Sequence, residues 1–142
     1  MKIYIGNAQI NDESYKVITE PTVLNYLAED SECNVIVLHK VLTKNNLNEI
    51  LNILNLCYKK LRIGGTLKII DIDFDLLCYA YRKNGNLIEL NNAVFEGEMR
   101  SFITRELLIG LIQNYHSDLG QPSLSRIQNI EFDLEFVRKW IK

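Results

Sequence analysis

The sequence predicts an α/β domain with a mostly parallel sheet, and three observations support this. Residues 34–38 and 66–72 are short, nearly continuous apolar runs, which is typical of strands covered on both faces. Apolar residues between these runs recur at helical spacing, so the three segments predict a βαβ unit with parallel strands. Residues 130–136 alternate apolar and acidic side chains, which predicts a half-buried, antiparallel strand near one edge.

Two further strands are predicted before this unit. Residues 2–5 form an apolar, β-prone run that ends at the turn signal of residues 6–8. Residues 15–19 form a second run, which ends at Glu20 and Pro21. Too few residues separate these strands for an ordinary crossover helix, so a parallel arrangement requires an unusually tight connection.

The clearest predicted helix begins after Asn46, where Glu49 stands at the spacing of a capping box. We expect Gly64 and Gly65 to end this helix. Its predicted apolar face consists of Leu47, Ile50, Leu51, Leu54, Cys57, Tyr58 and Leu61.

The second half of the chain predicts two more helices. Residues 74–81 form a helical stretch that stops at the Asn-Gly turn of residues 84–85. Residues 86–97 are polar and irregular, so we expect a loop over the sheet. A good helix follows Thr104 as its cap and ends at Gly120.

Length and composition predict one domain that spans residues 1–142. The net charge of −2 gives no indication of a basic face, so we expect no nucleic-acid partner. Cys33, Cys57 and Cys78 lack the spacing of a disulfide framework or a zinc site, and no metal is predicted. The sequence shows no signal peptide and no apolar run long enough to cross a bilayer. We therefore expect a cytoplasmic protein with no membrane partner.

Polar residues at the predicted strand ends are the first site candidates. Ligands of open α/β sheets bind beyond the carboxyl ends of the strands, where Gly6 would let the backbone approach a ligand. Glu20 stands where nucleotide-binding folds place a ribose-binding carboxylate. His39 could line the pocket or act as a base near neutral pH. The alternatives are a plain tight turn, a solvated acid before proline and a partly exposed histidine near a helix start.

Two acidic residues, Asp71 and Asp73, fall on the same face of the predicted strand at residues 66–72 and just after it. Carboxylates this close can share a proton or hold a cation. Alternatively, Asp73 or Asp75 caps the helix that follows.

Residues 34–73 resemble the central part of the class I S-adenosylmethionine (SAM)-dependent methyltransferases. That family has a strand similar to DVIxxxxVLEH, a helix and then LKPGGxLxIxxPD. This chain has NVIVLHKVLTK, the helix capped by Asn46 and then LRIGGTLKIIDID. The opening KIYIG is also similar to the family's KLNIGCG, and SFITRELLIGLIQ resembles a later helix.

This resemblance implies a three-layer, Rossmann-like, mostly parallel sheet with an antiparallel C-terminal strand and a reduced set of helices. It implies S-adenosyl-L-methionine as the cofactor and a small-molecule or glycan acceptor. The residues that it assigns to cofactor binding are Gly6, Asn7, Ala8, Glu20, Leu38 and His39. If the reaction needs a base, the catalytic candidates are His39 and Asp73.

The sequence departs from the family pattern at several points. Ala8 replaces the second loop glycine, Ile63 replaces the proline before the double glycine, and Asn34 replaces an acid. The helix between the first two strands is nearly absent. These departures support a second hypothesis, in which a catalytically degenerate domain acts as a binding or homo-oligomeric partner protein. Without a helix to cover it, apolar surface of the sheet would be exposed to solvent. A homodimer could bury that surface.

Overall fold

The computed structural model describes residues 1–128 and 130–140, and for residues 125–128 it describes the backbone alone. The strands are β1 (Lys2–Ile5), β2 (Tyr15–Ile18), β3 (Cys33–His39), β4 (Leu61–Ile72), β5 (Ser123–Gln128) and β6 (Glu131–Val137). The helices are α1 (Leu24–Leu27), α2 (Leu47–Lys60), α3 (Phe74–Asn84), α4 (Leu87–Asn91) and α5 (Arg105–Tyr115). Short 3-10 turns lie at Pro21–Val23, Leu42–Lys44 and Ser117–Leu119, and a π-helical turn lies at Asn92–Glu96.

These strands form one six-stranded sheet in the order β2-β1-β3-β4-β6-β5. Strands β1 to β4 run parallel, and β6 pairs antiparallel with β4, as the sequence predicts. The tight connection between β1 and β2 does join two parallel strands. In place of one antiparallel strand there are two, because β5 pairs with β6 at the edge.

One face of the sheet carries the main core cluster. Register places Ile5, Leu38, Ile69 and Leu134 side by side across four strands, and all are buried. Helices α1, α2 and α5 supply the facing side chains, among them Leu24, Ile50, Leu54, Cys57, Leu108 and Ile112. The opposite face carries an ion-paired row in which Lys68 Nζ lies 3.3 Å from Asp133 Oδ2 and 3.8 Å from Glu135 Oε1.

Helix α2 begins as predicted but ends earlier. Asn46 and Glu49 form the reciprocal capping box, with bonds of 2.9 and 3.2 Å. The prediction that Gly64 and Gly65 end the helix is wrong, because β4 begins at Leu61 and runs through both glycines. At the end of the helix, the Arg138 guanidinium donates a hydrogen bond to the Leu61 carbonyl oxygen at 2.6 Å. This bond satisfies a backbone acceptor where the helix ends.

Leu47, which was predicted to belong to the buried face of α2, is instead half exposed.

The loop predicted for residues 86–97 is also wrong. Asn86 caps α4 by accepting from the Glu89 amide at 3.1 Å, and the π-helical turn follows directly. Helix α3 extends to Asn84 and ends at Gly85, whose φ of 61° is the left-handed conformation that favours glycine. Thr104 caps α5 as predicted, but the helix ends at Tyr115 rather than Gly120.

Asp71 joins β4 to the turn that follows β3. Its side chain is fully buried and accepts from Leu42 N, Thr43 N, Thr43 Oγ1 and Ile72 N at 2.7–3.2 Å. Burial raises the pKa of this carboxyl, and the four hydrogen bonds oppose the rise. Asp71 is therefore a structural residue that holds the chain in place where β3 ends.

Replacing Asp71 with asparagine is expected to lower the free energy of unfolding by roughly 2 kcal/mol or more, because the new amide group faces donors instead of accepting from them. Urea denaturation measures this change. Asp75→Asn, at an exposed neighbouring position, should change stability by less than about 1 kcal/mol. Equal midpoints for the Asp71 variant and the wild type would contradict the structural role.

Candidate functional site

A cavity of about 230 Å³ opens at the edge of the sheet where β1, β2 and β3 end. Its lining includes Gly6, Asn7, Glu20, His39, Lys40 and Lys44. Four of the six residues that the sequence assigned to cofactor binding therefore lie together at one cavity. The parallel arrangement is the reason, because it brings the carboxyl ends of neighbouring strands to the same edge.

Gly6 lies between the ends of the two strands that flank β1. Its amide donates to the Ile18 carbonyl at 3.0 Å. A Cβ on Gly6 would lie 3.0 Å from the His39 carbonyl oxygen, 3.2 Å from the His39 Cβ and 3.1 Å from a Tyr4 ring carbon. The glycine therefore permits close contact with His39, so its small size also determines where His39 sits.

Gly6→Ala should destabilise the protein by about 1–3 kcal/mol, because the added methyl group overpacks the contact with the His39 backbone. Gly110→Ala is the matched control, since a Cβ there meets nothing within 4 Å and alanine favours a helix by up to about 1 kcal/mol. Urea denaturation of both variants checks this, and a similar response from the two would argue against the close contact.

Glu20 presents an exposed carboxylate to the cavity. The following Pro21 holds it in an extended conformation, with φ −109° and ψ 123°, and its side chain makes no capping bond to the turn. Among the side chains that the structure describes, those of residues 1–124 and 130–140, none forms an ion pair or a hydrogen bond with the Glu20 side chain. The carboxylate is thus free to accept hydrogen bonds from a ligand.

Two of the predicted cofactor residues do not line the cavity. Leu38 is fully buried in the core cluster. Ala8 is exposed and does not belong to the lining of the cavity. Neither side chain is placed to contact a ligand in this cavity.

Asp73 is also placed away from the cavity. Its carboxylate is buried, caps α3 by accepting from Asp75 N at 3.0 Å, and lies 3.3 Å from Arg105 Nε. Asp73 therefore caps helix α3, which is the alternative role that the sequence allowed for it. In the part of the chain that is described, no three or more His, Cys, Asp or Glu side chains are grouped to hold a metal ion. Among the described residues, none of the helices has the length and hydrophobicity that a membrane span requires.

The side chain of His39 is held in place by Tyr4. The Tyr4 hydroxyl is hydrogen-bonded to His39 Nδ1, and the two rings meet edge-on with centroids 5.7 Å apart. Burial lowers the pKa of His39, and Glu131 opposes this effect. The imidazole is therefore neutral at neutral pH.

Stability is expected to fall as the pH drops from about 6.5, the ordinary histidine pKa, because the unfolded chain then takes up a proton that folded His39 does not. His39→Gln removes this contribution, so its urea midpoint should depend less on pH between 7.5 and 5.5. Carboxylates are common to both proteins and cancel in the comparison. If the urea midpoints of the wild type and His39→Gln changed equally with pH, His39 would have the same pKa in the folded and unfolded states.

A larger cavity of about 470 Å³ adjoins the first and shares Asn7, Lys40, Lys44 and Glu98 with it. Its far wall is the π-helical turn, and the ends of β4 and β6 form its base. Lys40 and Glu98 have left-handed φ values of 55° and 56°, which non-glycine residues rarely adopt outside functional sites and turns. This wall was not among the features predicted from the sequence, although the cap spacing from Asn86 to Glu89 could have indicated the helical segment that leads into it.

Hydrogen bonds join the chain after the π-helical turn to the turn that Asp71 holds in place. Arg100 N and Ser101 N both donate to the Thr43 carbonyl, at 2.7 and 3.2 Å. Thr43 itself is held by Asp71. Both cavities are therefore built against the same fixed turn.

Comparison with solved structures identifies this fold. Over 89% of this chain, a SAM-dependent methyltransferase from Methanosarcina mazei is 15% identical, with a TM-score of 0.58 and 68% of its own length matched. A SAM-dependent methyltransferase from Archaeoglobus fulgidus matches 89% of the chain and 69% of its own at 9% identity and a TM-score of 0.57. An O-methyltransferase family protein from Burkholderia thailandensis matches 90% and 37%, at 13% identity and a TM-score of 0.58.

The chain thus has the α/β fold of the SAM-dependent methyltransferases, which confirms the fold that the sequence resemblance implies. It spans between 37% and 64% of the length of four other matched methyltransferase structures. No protein-family model matches the sequence, and the search of curated proteins found no match.

Proposed function

We propose that this chain is a SAM-dependent methyltransferase that binds the adenosyl group in the 230 Å³ cavity and a small-molecule or glycan acceptor in the 470 Å³ cavity. The observation that carries the proposal is the convergence of Gly6, Glu20 and His39, from three strand ends, on one cavity. This edge of an open α/β sheet is where such folds bind nucleotides.

The residues present fit an adenosyl group. The free Glu20 carboxylate can accept hydrogen bonds from both ribose hydroxyls, as acids at this position do in nucleotide-binding folds. The smaller cavity alone is below the size range of ligand pockets, about 300–1,000 Å³, but the two adjoining cavities together fall within it. The lining that the cavities share supports the proposal, because it would let the two ligands bind next to each other.

Positioning is the main contribution that we propose for the protein. When bound, SAM would supply an electrophilic methyl group on a positively charged sulfur for transfer to a lone pair of the acceptor, and would itself become a neutral thioether. The residues that the two cavities share would hold donor and acceptor next to each other. Of the two predicted bases, only His39 lines the cavity, whereas Asp73 caps α3 and has no part in this proposal.

A second candidate is the catalytically degenerate domain that acts as a binding or homodimeric partner. Two observations favour it: residues 6–14, which connect β1 to β2, form no helix, and Val17 and Val137 on the ion-paired face of the sheet are 49% and 42% exposed. A second copy of the chain could bury these side chains. We propose a cytoplasmic location for either function, and the three free cysteines are in keeping with its reducing conditions.

Binding of S-adenosylhomocysteine, measured by calorimetry and thermal shift, tests the proposal. At about a hundred times its dissociation constant the ligand should stabilise the wild type by roughly 2.7 kcal/mol. Glu20→Gln should weaken binding by about tenfold or more, because it removes a charged hydrogen-bond acceptor.

The matched control is Glu32→Gln, which neutralises an exposed acid beside the start of β3, at the opposite edge of the sheet. It should leave the affinity unchanged. Absence of binding at millimolar ligand would reject the methyltransferase proposal, and sedimentation of the same sample as a dimer would then support the partner protein.

A further inference from the structure

A hydrogen bond connects β1 to the wall of the smaller cavity. The Tyr4 hydroxyl is hydrogen-bonded to His39 Nδ1. Register pairs Tyr4 with Val37, so His39, two residues further along β3, lies on the same face of the sheet. Tyr4 is 6% exposed, which shields this hydrogen bond from water.

The direction of this bond follows from the acidity and basicity of the two groups. A phenol, with a pKa of about 10, is a much stronger acid than the N–H of a neutral imidazole, and the bare imidazole nitrogen is a much stronger base than a phenol oxygen. The Tyr4 hydroxyl therefore donates, and His39 Nδ1 accepts. In a neutral imidazole one nitrogen accepts and the other carries the proton, which therefore resides on Nε2.

We infer that Tyr4 is a positioning residue that fixes His39 in the Nε2–H tautomer, so that His39 offers the cavity a hydrogen-bond donor rather than a base. His39 lines the cavity and Tyr4 occupies Nδ1, so Nε2 is the nitrogen left for a ligand. The matching ligand atom is a hydrogen-bond acceptor, such as a ring nitrogen, a hydroxyl oxygen or a carboxylate. This ligand role rests on the proposed function, whereas the tautomer does not.

The charged groups around His39 affect whether its ring is protonated. Glu131 and Asp133 favour the protonated ring, whereas Lys40 and Lys44 disfavour it. The charges near His39 are thus mixed in sign, and burial keeps the ring neutral.

Nitrogen-15 NMR of the imidazole rings tests the inference directly, because the two ring nitrogens resonate differently when protonated or bare. The chain has two histidines, so His116→Gln leaves His39 as the single signal. The wild-type spectrum should show one neutral tautomer with the proton on Nε2. A proton on Nδ1 would overturn the inference without any variant of Tyr4.

Tyr4→Phe keeps the ring and removes the hydroxyl, so His39 should become a mixture of tautomers with a higher pKa. Tyr15→Phe is the control, since Tyr15 lies on the neighbouring strand opposite Lys2 and has no contact with His39. An unchanged tautomer in Tyr4→Phe, with the folded state verified by circular dichroism, would also overturn the inference.

The same samples separate this inference from the proposed function. On addition of S-adenosylhomocysteine, the Nε2 proton should remain and exchange more slowly with water, and Tyr4→Phe should weaken binding on the order of twofold to tenfold. A shift of the proton to Nδ1 on binding would reject the donor role. If the ligand does not bind while the free protein shows the Nε2–H tautomer, the proposed function fails and the role of Tyr4 stands.

Discussion

The buried carboxylate of Asp71 is the constraint on which the two cavities depend. A fully buried acid is costly unless its lone pairs are satisfied, and here backbone and hydroxyl donors from the turn after β3 satisfy them. That turn in turn binds the chain after the π-helical segment through the Thr43 carbonyl. One side chain in the sheet thereby determines the position of both a cavity base and a cavity wall.

The parallel half of the sheet could be predicted because its signals are local. The apolar runs of β3 and β4 and the capping box at Asn46 need no tertiary contact to be recognised. The ends of elements could not be predicted as well, because distant groups set them. Arg138, at the other end of the chain, binds backbone where α2 ends, and the pairing of Gly64 N with the Arg138 carbonyl extends β4. Strand β5 has no strong alternation of its own and forms by pairing with β6.

The candidate site was predictable to a similar extent. Strand ends converge in a parallel sheet, so Gly6, Glu20 and His39 could be placed together from sequence alone. Asp73 could not be excluded from that group, since a capping acid and a catalytic acid look alike until Arg105 and the Asp75 amide are seen beside it. Tyr4 was missed because an aromatic residue in a buried strand gives no indication that its hydroxyl has a directed partner.

The π-helical turn at Asn92–Glu96 contributes no side chain to the main core cluster, yet it walls the larger cavity. Substitutions in this segment can reshape that cavity with little effect on the folding of the sheet, whereas substitutions at Gly6 or Asp71 cannot. The larger cavity can therefore change shape during evolution while the smaller cavity is kept. Homologous chains should diverge in sequence fastest along this wall and slowest beneath the strand ends.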